Sequence, residues 1–405
     1  MGIRDVVYTG TMHNSVYAID AGAPASVIPL WQVNFGPSVP SSVLNFTDVL
    51  PEVGILSTPV IDLSRQAIYV VSDTLEGGTP VFRMHALSLT DGHEMFNGPV
   101  VIAATVAGGG AGSNNGTLAF DASQQLQRPG LALVNGIVYA AFGSHADDGD
   151  YHGWMIGYDA GNLQHRVAVF NTTPNTVGGS FWQGGRAPAI DQDGNVVAVT
   201  ANGDSSAAPA FTNSILKLSG QDLTLLDWFT PDNDVTMDEE DLDLGSAGAV
   251  LISGGTQVLT GGKSGDLVLV NGKTMGHLGP LNSATVQSFR ATQGGSSLGM
   301  YNLAVWQGRS GAVVYILEPC GPLNAFAMAG GSLNPTPLSQ SNPNTCTFFG
   351  GIAVSANGVT DGTGIVWQTT ADYGANKIPG TLGAFDATDL SHELWNSQMV
   401  PTATR

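Results

Sequence analysis

Apolar positions along this chain come in short runs, each alternating or continuous over the length of one strand and closed by a polar or Gly-rich turn. Residues 57–96 show this most plainly: STPVI, a polar turn, AIYVVSDT, a Gly-rich gap, VFRMHALSL and a closing EMF. Period-two alternation with β-branched and aromatic residues predicts four strands joined by tight turns. Such a sheet has two faces to cover and cannot bury both alone, so repetition is what builds a core.

The same phrase recurs along the chain. An opening unit has three strands, Val6–Gly10, Val16–Asp20 and Leu30–Val33, and lacks a leading strand of the STPVI type. After residues 57–96, further units open at Arg128, Arg186, Ser246, Tyr301 and Gly350. Near the C-terminus, Val400–Thr404 (VPTAT) resembles the leading strand that the first unit lacks. Sharing one sheet between the two chain ends closes a ring and removes exposed edges. The prediction is therefore all-β: one domain over residues 1–405, a seven-bladed β-propeller of four-stranded antiparallel sheets. Its ring closes by the C-terminal strand joining the N-terminal blade, and eight blades is the alternative. The longest connections, Ala107–Gln127 and Pro231–Asp241, are expected as surface excursions.

Charge narrows the partners. With 13 Lys and Arg against 33 Asp and Glu, the chain carries a formal net charge of −20. Such a surface repels a phosphate backbone, so nucleic acid is not an expected partner. No apolar run long enough to span a bilayer occurs, so membrane insertion is not expected either. The start MGIRDVV passes almost at once into a strand and has no signal-peptide pattern. The two cysteines, Cys320 and Cys346, are too few for a disulfide framework. Both fall on one face of adjacent blades, where they can be bridged or free.

The phrases Val16-Tyr17-Ala18-Ile19-Asp20-Ala21 and Leu382-Gly383-Ala384-Phe385-Asp386-Ala387, each leading to a strand that ends Leu-Trp, resemble the repeat of pyrroloquinoline-quinone-like β-propellers. TMHNSVYAIDA, PEVGILSTPVID, YHGWMIGYDA and FDATDLSHELWNSQ are similar to an exported bacterial group carrying that repeat, often of unassigned activity. The resemblance covers nearly the whole chain and implies the propeller fold and a secreted or periplasmic location. It implies little about activity, because propellers host enzymes, binding scaffolds and assembly factors alike. Quinone enzymes of the family hold their cofactor with adjacent cysteines, a tryptophan platform and a calcium site of Glu, Asn and Asp. No such cluster can be matched here, so PQQ is the less expected cofactor, behind calcium or a transition metal.

In a propeller, the connections entering each first strand share a face with those joining second and third strands. They ring the channel mouth, where ligands collect. Trp182, Arg128, Arg186, Asp241 and Asp243 fall on that face as ligand-binding candidates, with Asp48, Glu52, His13, Asp372 and Tyr373 beside them. His13 is placed to meet Glu52 across neighbouring blades as a base or ligand pair, and with Arg186 these are the catalytic candidates. A histidine bonded to backbone between blades reads equally from the same residues. Arg128 and Arg186 either neutralise Glu52 and Asp241 or bind an anion bidentately. Trp182 either stacks on a sugar or quinone ring or plugs the channel.

The loop SHADDGDYHG (Ser144–Gly153) supplies His145, Asp150 and His152 as metal candidates, since imidazole and carboxylate suit transition metals. Carboxylates that only hold a solvated turn are the plainer reading. The run Asp232–Asp243 is oxygen-rich enough for calcium but lacks the D-x-[DN]-x-[DN]-G loop. Gly261-Gly262-Lys263-Ser264 joins two strands and is rejected as a phosphate loop. No nucleophile elbow or zinc helix occurs. The expectation is a non-catalytic propeller binding a small molecule, saccharide or protein at the mouth. A quinone- or metal-dependent oxidoreductase acting on alcohols or sugars is the alternative, with a polysaccharide lyase or hydrolase behind it.

Overall fold

A computed structural model describes residues 4–23, 28–295, 299–343, 350–370 and 380–399. It is a seven-bladed β-propeller, so the eight-bladed alternative is set aside. Blade 1 contributes the strands Val6–Gly10, Ser15–Asp20 and Trp31–Asn34. Its expected closing strand, Val400–Thr404, lies outside the described residues. The six blades that follow run in chain order from the inner strand outward, each strand antiparallel to the last.

The pattern of strand burial explains the ring. In blade 3, Ile137–Ser144 is buried at every position. Val138, Ala140 and Phe142 pack into the core shared with blade 2, whereas Ile137, Tyr139 and Ala141 enter the core shared with blade 4. Blade 4 divides its residues in the same way: Val196 and Ala198 face blade 3, Val197 and Val199 face blade 5. Strands covered on both faces read as continuous apolar runs because successive side chains point to opposite sides. Each such Val, Ile or Phe side chain contributes about 1.5–3 kcal/mol on burial. The inner strands are short, Ala132–Val134, Ala189–Ile190 and Val250–Ile252 being typical. Around the axis they bond directly from blade to blade: Leu131 N–H donates to Thr58 O at 3.0 Å.

Two outer edges differ from the expected pattern. In blade 2, EMF does not form the fourth strand. Glu94 makes one bridge to Leu87, the chain leaves the ladder at Phe96 and Asn97, and pairing resumes at Val100–Val101. Phe96 and Asn97 have φ of 52° and 56°, which no strand accommodates. Blade 4 gains a fifth, parallel strand, His277–Gly279, from the connection in blade 5. The excursion after Ala107 carries its own hairpin, Thr105–Ala107 with Thr117–Ala119, and buries Leu118 in the blade 2–3 core. Within Pro231–Asp241 a short helix, Asp234–Glu239, covers the chain with Met237. No helix among the described residues is long and apolar enough to cross a membrane. Cys320 is disulfide-bonded, and Cys346 lies outside the described residues.

Candidate functional site at the channel mouth

The mouth cavity, about 570 Å³, is built from connections of five blades. The lead-ins to first strands supply Asp48, Leu56, Leu126, Arg128, Trp182, Asp241, Asp243 and Tyr301, and the loops between second and third strands supply Asp147 and Lys263. Four predicted ligand residues, Arg128, Trp182, Asp241 and Asp243, therefore meet in one cavity. Arg128 lies over the Trp182 ring, 5.6 Å from its centre. Trp182 Nε1 is sealed from solvent and has no partner.

Charge on one wall is concentrated around Lys263. Its Nζ stands 2.6 Å from Asp241 and 2.7 Å from Asp243. Asp243 is held in place by the Asn202 backbone N–H at 2.9 Å, and Asp241 by the Asn202 side chain at 3.1 Å. Burial alone would lower the Lys263 pKa, but the Asp243 and Asp241 carboxylates outweigh it and raise it. Asp147 completes the wall; burial first, then the Asp243 charge, pushes its carboxyl up to about 6. Asp147, Asp241 and Asp243 offer oxygen atoms within 4.8 Å of one another. A cation entering there would compete with the ammonium already between two of them.

The predicted metal set is not gathered. Among the described residues the group of three meeting metal-ligand spacing is Asp147, Asp241 and Asp243, not His145, His152 and Asp150. His152 spends both ring nitrogens on the protein: Nδ1 faces Thr173 O at 3.1 Å and Oγ1 at 3.0 Å, and Nε2 faces Ala111 O at 2.9 Å. Burial lowers its pKa. Asp150 is exposed. His145 is buried under Phe46, with Nδ1 3.2 Å from both Asp48 oxygens. Burial would raise the Asp48 pKa; the His145 hydrogen bond and charge bring it below the usual value.

His13 and Glu52 do pair, at 2.5 Å, with Ser38 Oγ donating to the other Glu52 oxygen. The His13 side chain is 78% exposed, so the pair sits on the surface and is not among the residues lining the mouth cavity. Arg186 is paired with neither Glu52 nor Asp241. Its Nη2 donates to Asn302 Oδ1 at 2.9 Å and to Leu303 O.

Arg186 and Trp182 flank a tight turn, Gln183–Gly185, that reaches from blade 4 to residues of blades 5 and 6. Gln183 Oε1 accepts from Val199 N–H at 3.1 Å, and Gly184 lies against the carbonyls of Tyr301 and Ser246. Gly184 has φ of 56°, and a Cβ there would collide with Tyr301 O. Gly184→Ala is therefore expected to lower stability by about 2 kcal/mol, read as a shifted urea midpoint at unchanged slope.

One constellation the sequence reading missed lies within blade 2, beneath Phe35 of the segment that leaves blade 1. Ser72 Oγ is 3.0 Å from His85 Nε2, and His85 Nδ1 meets Glu94. A serine, a base and an orienting carboxylate stand in the order used by nucleophilic hydrolases. Here Ser72 is 0% exposed and His85 3%, with Phe35 stacked on the imidazole at 3.6 Å. No substrate carbonyl can reach that hydroxyl; the relay lies within blade 2, and the Phe35 stack joins it to the segment that leaves blade 1.

No family model matches the chain, and no curated protein sequence matches it. Solved structures do. The C-terminal WD40 domain of Sif2 is 10% identical with a TM-score of 0.51, over 94% of this chain and 78% of that one. Sqt1 from Saccharomyces cerevisiae is 11% identical with a TM-score of 0.51, over 96% and 81%. BamB from Moraxella catarrhalis is 12% identical with a TM-score of 0.44, over 85% and 73%. At these identities the likeness is one of fold.

Proposed function

We propose that this chain is a non-catalytic binding propeller of the PQQ-like class whose mouth cavity receives a basic segment of a partner protein. The observation that carries this reading is the pairing inside the cavity. Lys263 is held by Asp241 and Asp243, Asp48 by His145, and Arg128 lies on Trp182. Groups tied in this way present a fixed field and an aromatic platform, which suits recognition more than proton transfer. Four carboxylates against Arg128 and Lys263 leave the cavity acidic, on a protein of net charge −20. An ammonium or guanidinium from a partner would offset the Asp243 charge, which together with the larger effect of burial raises Asp147. The disulfide at Cys320 supports an oxidising, exported setting.

The experiment is a titration of Trp fluorescence and heat with a Lys/Arg-rich peptide, an acidic peptide and a neutral oligosaccharide. The basic peptide is expected to bind, to weaken as salt rises, and to lose at least about tenfold in affinity in Asp147→Asn, one charged contact being worth ~1.4 kcal/mol or more. Binding of the oligosaccharide alone would replace the partner class. A second reading, a metal-dependent oxidoreductase, rests on the oxygens of Asp147, Asp241 and Asp243 lying within 4.8 Å. Stoichiometric metal in the purified protein by elemental analysis would favour it over the binding reading.

A further inference from the structure

Against the turn Gln183–Gly185 lies a second cavity of about 410 Å³, with walls from blades 2, 3, 4, 6 and 7. Its walls are residues at or just before the inner strands of these blades, among them Thr58, Gly130, Arg186, Asn302 and Ile352. The segments that line the mouth with Arg128, Trp182 and Tyr301 continue into this cavity with Gly130, Gly184 and Asn302. It therefore adjoins the mouth along those segments, and the two linings share no residue.

Arg186 is the charged group in this cavity, and its situation is unusual. No carboxylate among the described residues pairs with it. Its two hydrogen bonds, to Asn302 Oδ1 and Leu303 O, go to neutral acceptors and use Nη2 alone. Its Nε is sealed from solvent and has no partner. Burial lowers its pKa with no opposing charge to restore it. A guanidinium withdrawn from water without a counter-charge is strongly unfavourable, and proteins retain one where an anion completes it. Its planar fork of donors matches the oxygen pairs of carboxylates and phosphates. The neutral acceptors on Nη2 fix the orientation of the fork, as a preformed site requires.

We propose that this second cavity is an anion site in which Arg186, oriented by Asn302 and Leu303, binds a small oxyanion of the carboxylate or phosphate type. The site is separate from the mouth and does not depend on what the mouth binds. The cavity, about 410 Å³, has room for a small free anion beside Arg186.

The test is thermal unfolding and calorimetric titration of the whole chain with inorganic phosphate, sulfate, acetate and succinate, against sodium chloride at matched ionic strength. At least one oxyanion is expected to raise Tm saturably where chloride does not, by mass action on the folded state. Arg186→Gln should weaken that binding at least tenfold. Asn302→Asp gives an independent reading if Arg186→Gln does not fold: it places a carboxylate on the guanidinium from within the protein. That variant should be more stable than the parent in oxyanion-free buffer and should no longer respond to added oxyanion. A parent protein that none of the four anions stabilises beyond chloride would overturn the proposal. So would an Asn302→Asp protein that responds as the parent does.

Discussion

Asp73→Asn is expected to stabilise the protein at neutral pH, and the gain should grow as pH rises from about 4 to about 8. Asp73 lies on the second strand of blade 2, directly opposite Phe82, which makes edge contacts with Phe120 and Phe142. The residue is 0% exposed, and neither carboxylate oxygen has a hydrogen-bond partner. Burial pushes its pKa up from 3.8 to about 8. Between those values the folded chain keeps a proton that the unfolded chain has released, so folding stability falls as pH rises. The loss is fully present above about pH 8 and absent below about pH 4. A shift of this size corresponds to an effect on the order of 5 kcal/mol. Asparagine fills nearly the same volume without a charge to bury. Urea unfolding of parent and variant at pH 4, 6 and 8 checks this; parallel stability curves across the range would show that Asp73 does not titrate in this way.

Lys263→Met is expected to destabilise the protein by about 3 kcal/mol, the scale for removing one partner of a buried ion pair. The lysine side chain is 14% exposed and Asp243 only 2%, so water cannot replace the lost ammonium at Asp243. The sign with pH follows from the neighbours. Asp147 already takes its proton at about 6 because of burial and the Asp243 charge. The Lys263 charge is one of the influences that hold the Asp147 value down, so without the lysine Asp147 keeps its proton to still higher pH. The variant should therefore be closest to the parent near pH 5 and furthest from it near pH 8. Adding Asp243→Asn to Lys263→Met should recover most of the loss, because the uncompensated charge goes with it. A double variant no more stable than the single one would mean that Lys263 acts through its packing, not its charge.

The propeller was legible because blade strands obey a local rule. Alternation or a continuous apolar run between turns predicts Val6–Gly10, Ile137–Ser144 and Arg166–Phe170 without knowledge of their neighbours, and strands form at Val6–Gly10, Ile137–Ser144 and Arg166–Asn171. The face of the mouth was legible too, since it depends only on which connection a residue occupies. That placed Arg128, Trp182, Asp241 and Asp243 together. Lys263 was passed over because GGKS was weighed as a phosphate motif and not as a loop on that same face. What depends on separate blades meeting was not legible. The lone charge of Arg186 requires distances between blades 4 and 6, and the Ser72–His85–Glu94 relay and the sealed carboxyl of Asp73 require side-chain packing in and around blade 2, which the strand pattern does not carry either. In the loop Ser144–Gly153 composition suggested ligands, but strand geometry turned His152 inward to carbonyl oxygens and left Asp150 in solvent.

Repeat architectures in which each unit touches only its neighbours can unravel from an end, one module at a time. The strut formed by Gln183–Arg186 forbids that here. It starts from blade 4 and is fastened to Ser246, Tyr301, Asn302 and Leu303 on blades 5 and 6, like a spoke joining non-adjacent staves. Prising blade 5 from blade 6 therefore breaks contacts made by blade 4 as well, and loss of register at any of the three is felt by all of them. This middle third should melt as a single block, and amide exchange should slow together across its inner strands.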